Sequence, residues 1–482
     1  MDELKIVNAR IVCEDGVFAG GILVKAGRIA AIGDIADAGA AETIDAGGKY
    51  VFPGMIDSHV HLNDPGFTWR EDFPHGSAAA AAGGVTTIID MPLQNEPALT
   101  NAEIFAAKEK AVAGRSHVDY AFWGGLVPAN LGDLEGLDQA GVVAFKAFIA
   151  PVSPDYSSTD LGTVRRAMAV LKRFDGLGGF HCEDYYIIKS GEAEAAERAG
   201  KNATWRDFLD SRPPSAEIIS TRAIIELARE MGVRVHICHV SHPDVAEIIR
   251  AARREGVRVT GETCGHYLTF CDEDVIRDGE MLKCAPPLRS AAAREKLWEY
   301  VLDGTLGSLA SDHSPCRADE KDEKTHGVLG AWGGISGIQS LMQAVFSEGV
   351  VKRGCPPSIL ARASAATARA FGLDHAKGAI RPGLDADLVI LDPDREWEIT
   401  ADSLKYLNRN SAFVGLKGKG LPALTLVRGK VVARDGDAIG DLEHGRLVKK
   451  RLCRKDRDFY KLGIRRFERP ICETPVNGHF PL

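Results

Sequence analysis

The sequence predicts an α/β protein, with a central series of alternating strands and helices framed by β-rich segments at both ends. Three observations carry this. Eight short apolar runs recur between residues 55 and 312, each followed by turn residues. The segments between them are long enough to hold helices, as crossovers between parallel strands require. Polar residues with metal-ligand chemistry recur at the carboxyl ends of these runs, where a parallel barrel concentrates its chemistry. Eight strands with crossovers fit a closed (β/α)8 barrel; a doubly wound open sheet is the alternative that counting leaves open.

Taken in order, residues 4–12, 21–25 and 28–32 are β-branched segments separated by Gly16, Gly20, Gly21 and Gly27, and read as a small antiparallel sheet. The character changes after Phe52-Pro53-Gly54. Strands are expected at 55–60, 85–90, 118–123, 142–148, 178–182, 233–240, 257–262 and 306–312. Helices are expected near 73–82, 101–113, 131–140, 161–173, 215–231, 243–255 and 290–302, with a further helical stretch near 334–372. Strand-like alternation returns at 386–391 (ADLVIL) and 424–432 (LTLVRGKVV) and is expected to complete the sheet begun by the N-terminus. The expected organisation is therefore a barrel over 53–378, a composite β-sandwich domain from 1–52 and 379–445, and a basic C-terminal tail over 446–482. The tail (KKRLCRKDR, IRRFER) reads as a surface or subunit-contact segment in preference to an RNA-binding arm.

With 482 residues, 45% hydrophobic and 26% charged, the chain can bury a sizeable core, which excludes global disorder. Its 59 Lys and Arg against 67 Asp and Glu leave a net charge of -8, so a general nucleic-acid-coating surface is not expected. The 51 glycines follow no three-residue period, which excludes collagen. None of the 10 cysteines forms a CxxC pair, and they read as free thiols in a reducing compartment. No signal-peptide pattern opens the chain and no apolar run of about 18 residues crosses it, so a cytoplasmic protein with no membrane partner is expected.

The first barrel strand ends in Asp57-Ser58-His59-Val60-His61, where His59 and His61, two apart, face the same way in an extended chain. Packed core histidines are the bland reading of such a pair. Lys146 sits inside VVAFKAFIA, where an ammonium must be neutral, paired or chemically modified unless it snorkels to the rim. The fifth strand ends in His181-Cys182-Glu183-Asp184, and the eighth in Asp312-His313-Ser314. The sixth carries His236, His239 and His242; parity lets only one of His236 and His239 face the centre, and His236 is assigned outward. Together His59, His61, Lys146, His181, His239 and Asp312 converge on one barrel mouth and point to a metal site with two ions. Mixed nitrogen and oxygen donors suit Zn²⁺, Mn²⁺ or Co²⁺ better than Ca²⁺. A lysine ammonium has no lone pair, so Lys146 serves only if deprotonated or converted to a carbamate.

The motifs PGMIDSHVH (53–61), GGVTTIIDMP (83–92), VVAFKAF (142–148), HCED (181–184), CHVSHPD (238–244), GETCGHY (261–267), KCAPPLR (283–289) and LASDHSPC (309–316) occur in this order. In this combination the chain resembles the cyclic amidohydrolases of the allantoinase, hydantoinase, dihydropyrimidinase and dihydroorotase group, from about residue 4 to 440. The resemblance implies a TIM (β/α)8 barrel of amidohydrolase type with a composite β domain and a binuclear metal centre. It places His59, His61 and Asp312 on one ion and His181 and His239 on the other. Lys146, carboxylated by CO2, would bridge them together with a hydroxide, which replaces the snorkelling reading. In that scheme the hydroxide attacks a ring amide carbonyl, and Asp312 shuttles the proton to the leaving nitrogen.

Within the group, the substrate is read from departures. Asn63 stands where dihydroorotases carry an arginine that clamps a carboxylate. Ile149, Ala150 and Pro151 occupy the segment where dihydropyrimidinases and many hydantoinases have a tyrosine; Tyr156 comes later. LKCAPPLR, SDHSPC, HICHVSH and AWGGISGIQS look most like allantoinase, which opens (S)-allantoin to allantoate. By that analogy Asn63 and backbone groups near Cys284, Pro286 and Gly334 are expected at the cyclic ureide substrate. Gly265, where the pattern usually has proline, is a departure beside strand seven. Cys264, Cys284 and Cys316 are expected to line or pack the pocket, since a metal-bound hydroxide makes a thiol nucleophile redundant. The charged segment 317–330 reads as a mobile rim or a plain solvated loop. Hydrolysis of 5-substituted hydantoins or dihydropyrimidines is the alternative activity, and a non-catalytic scaffold relative the remote one. Relatives of this kind imply a homotetramer or homodimer.

Overall fold

Eight parallel strands succeed one another in chain order in the computed structural model, which describes residues 3–35 and 37–451. They are Met55–Val60, Val85–Asp90, Asp119–Gly125, Ala144–Phe148, Leu177–His181, Arg234–Ile237, Val259–Cys264 and Ser308–Ala310. The first five are buried at every position, as parallel strands covered by helices on one side and packed interior on the other must be. A bridge between Val60 and His313, with the His61 N–H donating to the His313 carbonyl at 2.8 Å, brings the eighth strand back to the first. The sheet thus closes into a barrel, and the open-sheet alternative falls away.

Side chains fill the barrel. Trp123 is fully buried, and its indole N–H donates to the Ser58 carbonyl at 2.8 Å. Gly179, on the fifth strand, two strands away, leaves room for that ring: a Cβ there would lie 2.3 Å from it. Helices begin where the sequence supplies caps. Asp72 accepts from the His75 N–H, Asn101 from Ile104 and Asp160 from Thr163, each closing the first turn of the helix that follows. The long helix Pro214–Met231 has proline in its first turn and ends at Gly232, whose φ of 66° suits glycine.

Both termini build a second, nine-stranded mixed sheet. Leu4–Cys13 pairs antiparallel with Gly16–Lys25, which pairs with Arg28–Gly33, while Glu42–Asp45 and Tyr50–Pro53 run parallel to the first of these. From the other terminus, Leu388–Glu398 lies antiparallel to Tyr50–Pro53, followed by Lys417–Val427, Lys430–Arg434 and Asp437–Ala438. Ile6, Ile11, Ile22, Leu388 and Leu426 form its apolar core.

Some elements are absent from the sequence reading. Helices Tyr185–Ala199 and Trp205–Ser211 fill the crossover after the fifth strand. The first buries only Ile188 and Ala195, so it offers no apolar period to read. Segment 317–330 is neither an open loop nor free of the core: it forms helices Ala318–Lys321 and Glu323–Gly330, and Lys321 is buried. The start of the basic tail is ordered against the barrel, with the Val448 N–H donating to the Tyr120 carbonyl at 2.7 Å. Its remainder, from residue 452, lies outside the described residues. Among the described residues no helix is long and apolar enough to cross a membrane.

Candidate metal centre and active site

The carboxyl ends of the strands surround a cavity of about 440 Å³, and His59, His61, His181, His239 and Asp312 line it. Lys146 stands just behind, with Nζ 3.5 Å from His59 Nε2. Asp312 Oδ1 lies 3.2 Å from His59 Nε2 and 3.5 Å from His61 Nε2. The ring centroids of His59 and His239 are 5.2 Å apart, and those of His181 and His239 4.5 Å. All six expected ligands therefore gather at one mouth.

Strand geometry explains part of this. His59 and His61 emerge together at the end of the first strand by simple alternation. His239 does not: it lies two residues past the sixth strand, with φ 36°, and this left-handed turn swings it into the mouth. Asp312, two residues past the eighth strand, has φ 45°. The parity argument therefore fails for His236, which faces the barrel interior, fully buried, and not outward. Its Nε2 lies 3.1 Å from Glu262 Oε2 and its Nδ1 2.8 Å from Thr260 Oγ1.

Glu262 is the residue that the motif reading passed over. Its Oε1 meets His59 Nδ1 at 2.5 Å and accepts from the His239 N–H at 3.3 Å; its Oε2 accepts from Ser58 Oγ at 2.6 Å. Burial alone would raise this carboxyl, but His59 and His236 hold it well below the usual range. An anion on Nδ1 keeps the proton there and leaves the Nε2 lone pair of His59 free, as a metal ligand needs. A charged residue in the middle of the buried strand VTGETC was the available signal. Glu183 plays the corresponding part for His181, with Oε2 at 2.8 Å from Nε2 and 2.7 Å from Arg212 Nη1. Burial would raise Glu183, but Arg212 and His181 bring it down to about 2.

These donors fit divalent cations. The ligand atoms of His59, His61 and Asp312 lie within 4.8 Å of one another. His61 Nδ1 and His239 Nδ1 are buried without a hydrogen-bond partner. Burial, then Lys146, pushes the His59 imidazole down to about 4, so it presents a lone pair instead of charge. Burial would raise the Asp312 carboxyl, yet His59, His61 and His239 hold it well below the carboxylate range. Lys146 is fully buried and, among the described residues, has no carboxylate within ion-pair distance. A bare ammonium is badly served there, whereas a carbamate would carry the charge that the histidines lack.

Of the four residues expected at the substrate, Cys284 lines the cavity, and Asn63, Pro286 and Gly334 are not among its lining residues. Asn63 is buried, its amide donating to the His61 carbonyl at 3.1 Å, so it braces the backbone of the first strand. The Pro286 carbonyl accepts from Tyr267 Oη at 2.6 Å, and the Gly334 N–H donates to the Lys283 carbonyl at 2.9 Å. Tyr156 is buried, its hydroxyl donating to the Lys146 carbonyl at 2.8 Å, and it does not line the cavity. Cys264, Cys284 and Cys316 are buried; burial pushes Cys284 up to about 12 and Cys316 to about 11, which fits packing and not nucleophilic roles. Gln94, Ser153, Glu192, Arg212, Lys283 and Trp332 complete the polar side of the cavity.

Comparison with known proteins agrees with this geometry. Residues 50–432 match the model of the amidohydrolase family. The chain is 42% identical to an allantoinase of Rubrobacter xylanophilus, over 90% of this chain and 95% of that one. It is 38% identical to an allantoinase of Streptomyces avermitilis, over 90% and 96%. Among solved structures, the L-hydantoinase (dihydropyrimidinase) of Arthrobacter aurescens superposes with a TM-score of 0.90 at 34% identity, covering 93% of this chain and all of that one. With the fold, the gathered donors and these likenesses in agreement, the chain belongs to the amidohydrolase family, among its cyclic amidohydrolases.

Proposed function

We propose that this chain hydrolyses the ring amide of allantoin to give allantoate. The observation that carries the reading is the convergence of His59, His61, Lys146, His181, His239 and Asp312 beneath a cavity of about 440 Å³, a size suited to one small molecule. His59, His61 and Asp312 would hold one ion, His181 and His239 the other, and a carbamate on Lys146 would join them. When bound, the ions supply positive charge that polarises a water and the scissile carbonyl.

The protein's own residues do the rest. Asp312, held anionic by the surrounding histidines, takes the proton of the attacking water and returns it to the ring nitrogen as the carbon–nitrogen bond breaks. The water's oxygen ends in a carboxylate, and the nitrogen leaves as part of a ureido group. Glu262 and Glu183 orient His59 and His181. Zinc as resident ion, cobalt or manganese as substitutes, and assembly as a homodimer or homotetramer belong to the same reading.

Allantoin is favoured by the two relatives named allantoinase and by the cavity itself, which no tyrosine lines among the described residues. The close superposition on a hydantoinase supports a second reading, hydrolysis of 5-substituted hydantoins or dihydropyrimidines. Steady-state hydrolysis by protein loaded with zinc in the presence of bicarbonate separates them. The highest kcat/KM is expected for allantoin over 5-substituted hydantoins, dihydrouracil and dihydroorotate. Rapid turnover of hydantoins or dihydrouracil with little for allantoin would overturn the assignment and leave the ring-opening chemistry in place.

A further inference from the structure

Two buried lysines near the cavity serve no part of the chemistry above. Lys283 Nζ donates to the carbonyls of Val328, Leu329 and Ala331 at 2.8, 2.9 and 2.6 Å. Lys321 Nζ donates to those of Glu280, Lys283 and Trp332 at 2.8, 3.4 and 3.3 Å. Their exposures are 5% and 2%, and among the described residues neither has a carboxylate within ion-pair distance. A buried ammonium met by neutral carbonyls, with the Phe208 ring 5.0 Å from Lys283 Nζ, is costly, and burial lowers both: Lys283, with Arg212 and Lys321 adding to the effect, to about 7, and Lys321 to about 8. Stability alone would be served better by apolar side chains of similar size.

What the two lysines hold is a wall of the active-site cavity. Residues 329–333 line it together with the histidines, in the sequence Leu-Gly-Ala-Trp-Gly. Two glycines in five residues, with Gly327 at φ 70° just before, leave this segment with little conformational preference of its own. Its carbonyls turn inward to the two ammonium groups. The Lys283 carbonyl also accepts from the Gly334 N–H at 2.9 Å, and the Trp332 N–H donates to the Glu320 carbonyl at 2.9 Å. Trp332 is further held by the Arg70 guanidinium, 4.0 Å from its ring. Lys283 thus holds the segment at Leu329 and Ala331, and Lys321 holds it at Trp332 while tying it to the backbone of Glu280 and Lys283.

We propose that Lys283 and Lys321 form a paired clasp that shapes the substrate-facing wall at residues 329–333, making both of them positioning residues for substrate capture. The clasp acts on binding of whichever cyclic ureide the enzyme opens fastest, so the inference does not depend on the choice of allantoin. It predicts a larger effect on KM than on kcat, because residues 329–333 line the cavity but include neither the proton-transfer group nor any of the expected ligands.

The test is Lys283→Met and Lys321→Met in the full-length, metal-loaded enzyme, assayed with the best substrate and followed by amide hydrogen exchange. Each substitution is expected to raise KM by about tenfold with kcat within about threefold. Exchange over 323–334 should quicken by about tenfold while the barrel strands keep their protection. The double variant should be little worse than Lys283→Met, since both lysines hold one segment. Unchanged KM with unchanged exchange, faster exchange throughout the barrel, or a fall in kcat at constant KM would each overturn the proposal. Should Lys283→Met not fold, Lys321→Met, whose side chain does not line the cavity, decides it by the same criteria.

Discussion

At the base of the barrel Lys377 Nζ is 2.5 Å from Asp119, 2.6 Å from Asp387 and 3.1 Å from Asp385, and Arg428 and Arg446 close on the same aspartates. At the mouth Lys146, equally buried, faces a histidine at 3.5 Å and, among the described residues, no carboxylate within ion-pair distance. The two lysines are held in opposite ways. Burial would depress the Lys377 ammonium, but Asp387, Asp119 and Asp385 outweigh it and raise it above the ordinary range. Every polar atom of that side chain has a partner supplied by the protein. The mouth instead leaves His61 Nδ1 and His239 Nδ1 unpartnered and puts anionic Asp312 among imidazoles. A buried polar cluster that saturates itself contributes to folding, and one that does not is built for something it binds.

Removing the most reactive group at the mouth should produce the largest effect. Asp312→Asn is expected to lower kcat by roughly 10²- to 10⁴-fold, with an unfolding midpoint in urea close to that of the parent; retained activity would remove Asp312 from the proton transfer. At the base the same kind of change should do the reverse. Lys377→Met removes the ammonium that Asp119, Asp385 and Asp387 share, leaves Asp387 without an ion pair among the described residues, and should cost about 3–5 kcal/mol of stability, read by chemical denaturation, while kcat/KM of the folded fraction stays constant. Equal damage to activity would erase the distinction between the two ends.

Glu262→Gln tests the support beneath the ligands. Metal affinity, followed by chelator competition, should fall by roughly 10- to 100-fold, and full metal retention would show that His59 is oriented by something else. The smallest effect is on pH dependence. Burial lifts the Glu71 carboxyl to about 8 against the pull of the Leu407 and Asp72 N–H groups, from an ordinary value of about 4.5. Between those two values the folded chain keeps a proton that the unfolded chain has lost, so this group makes stability fall as pH rises from about 4.5 to 8. Glu71→Gln should flatten that slope in urea titrations; an unchanged slope would assign it to other groups.

Much of the architecture was legible locally. Strands at residues 55–60 and 85–90 and the helix at 73–82 coincide with their expected limits, because buried parallel strands are short apolar runs and helix starts carry their own caps. The HxH pair is readable for a similar reason, since two-residue alternation within a strand needs no knowledge of distant partners. His239 broke that rule as soon as the chain left the strand, where a single positive φ redirects a side chain and no sequence period reports it.

By itself the sequence determined the alternating elements, the two-terminus β sheet, the six donors and the family resemblance, all properties of contiguous residues. The tertiary structure alone decided that Glu262 reaches Ser58 across 204 residues, that His236 faces inward, and that Asn63 supports the backbone while Cys284 lines the cavity. It also decided that Lys283 grips carbonyls of the cavity wall up to 48 residues away, and that Lys321 joins the wall carbonyl of Trp332 to that of Glu280, 41 residues before it. The reason is physical: a side chain's direction at a strand end, and the partner that satisfies a buried charge, depend on closure of the barrel, which brings together residues with no local relation.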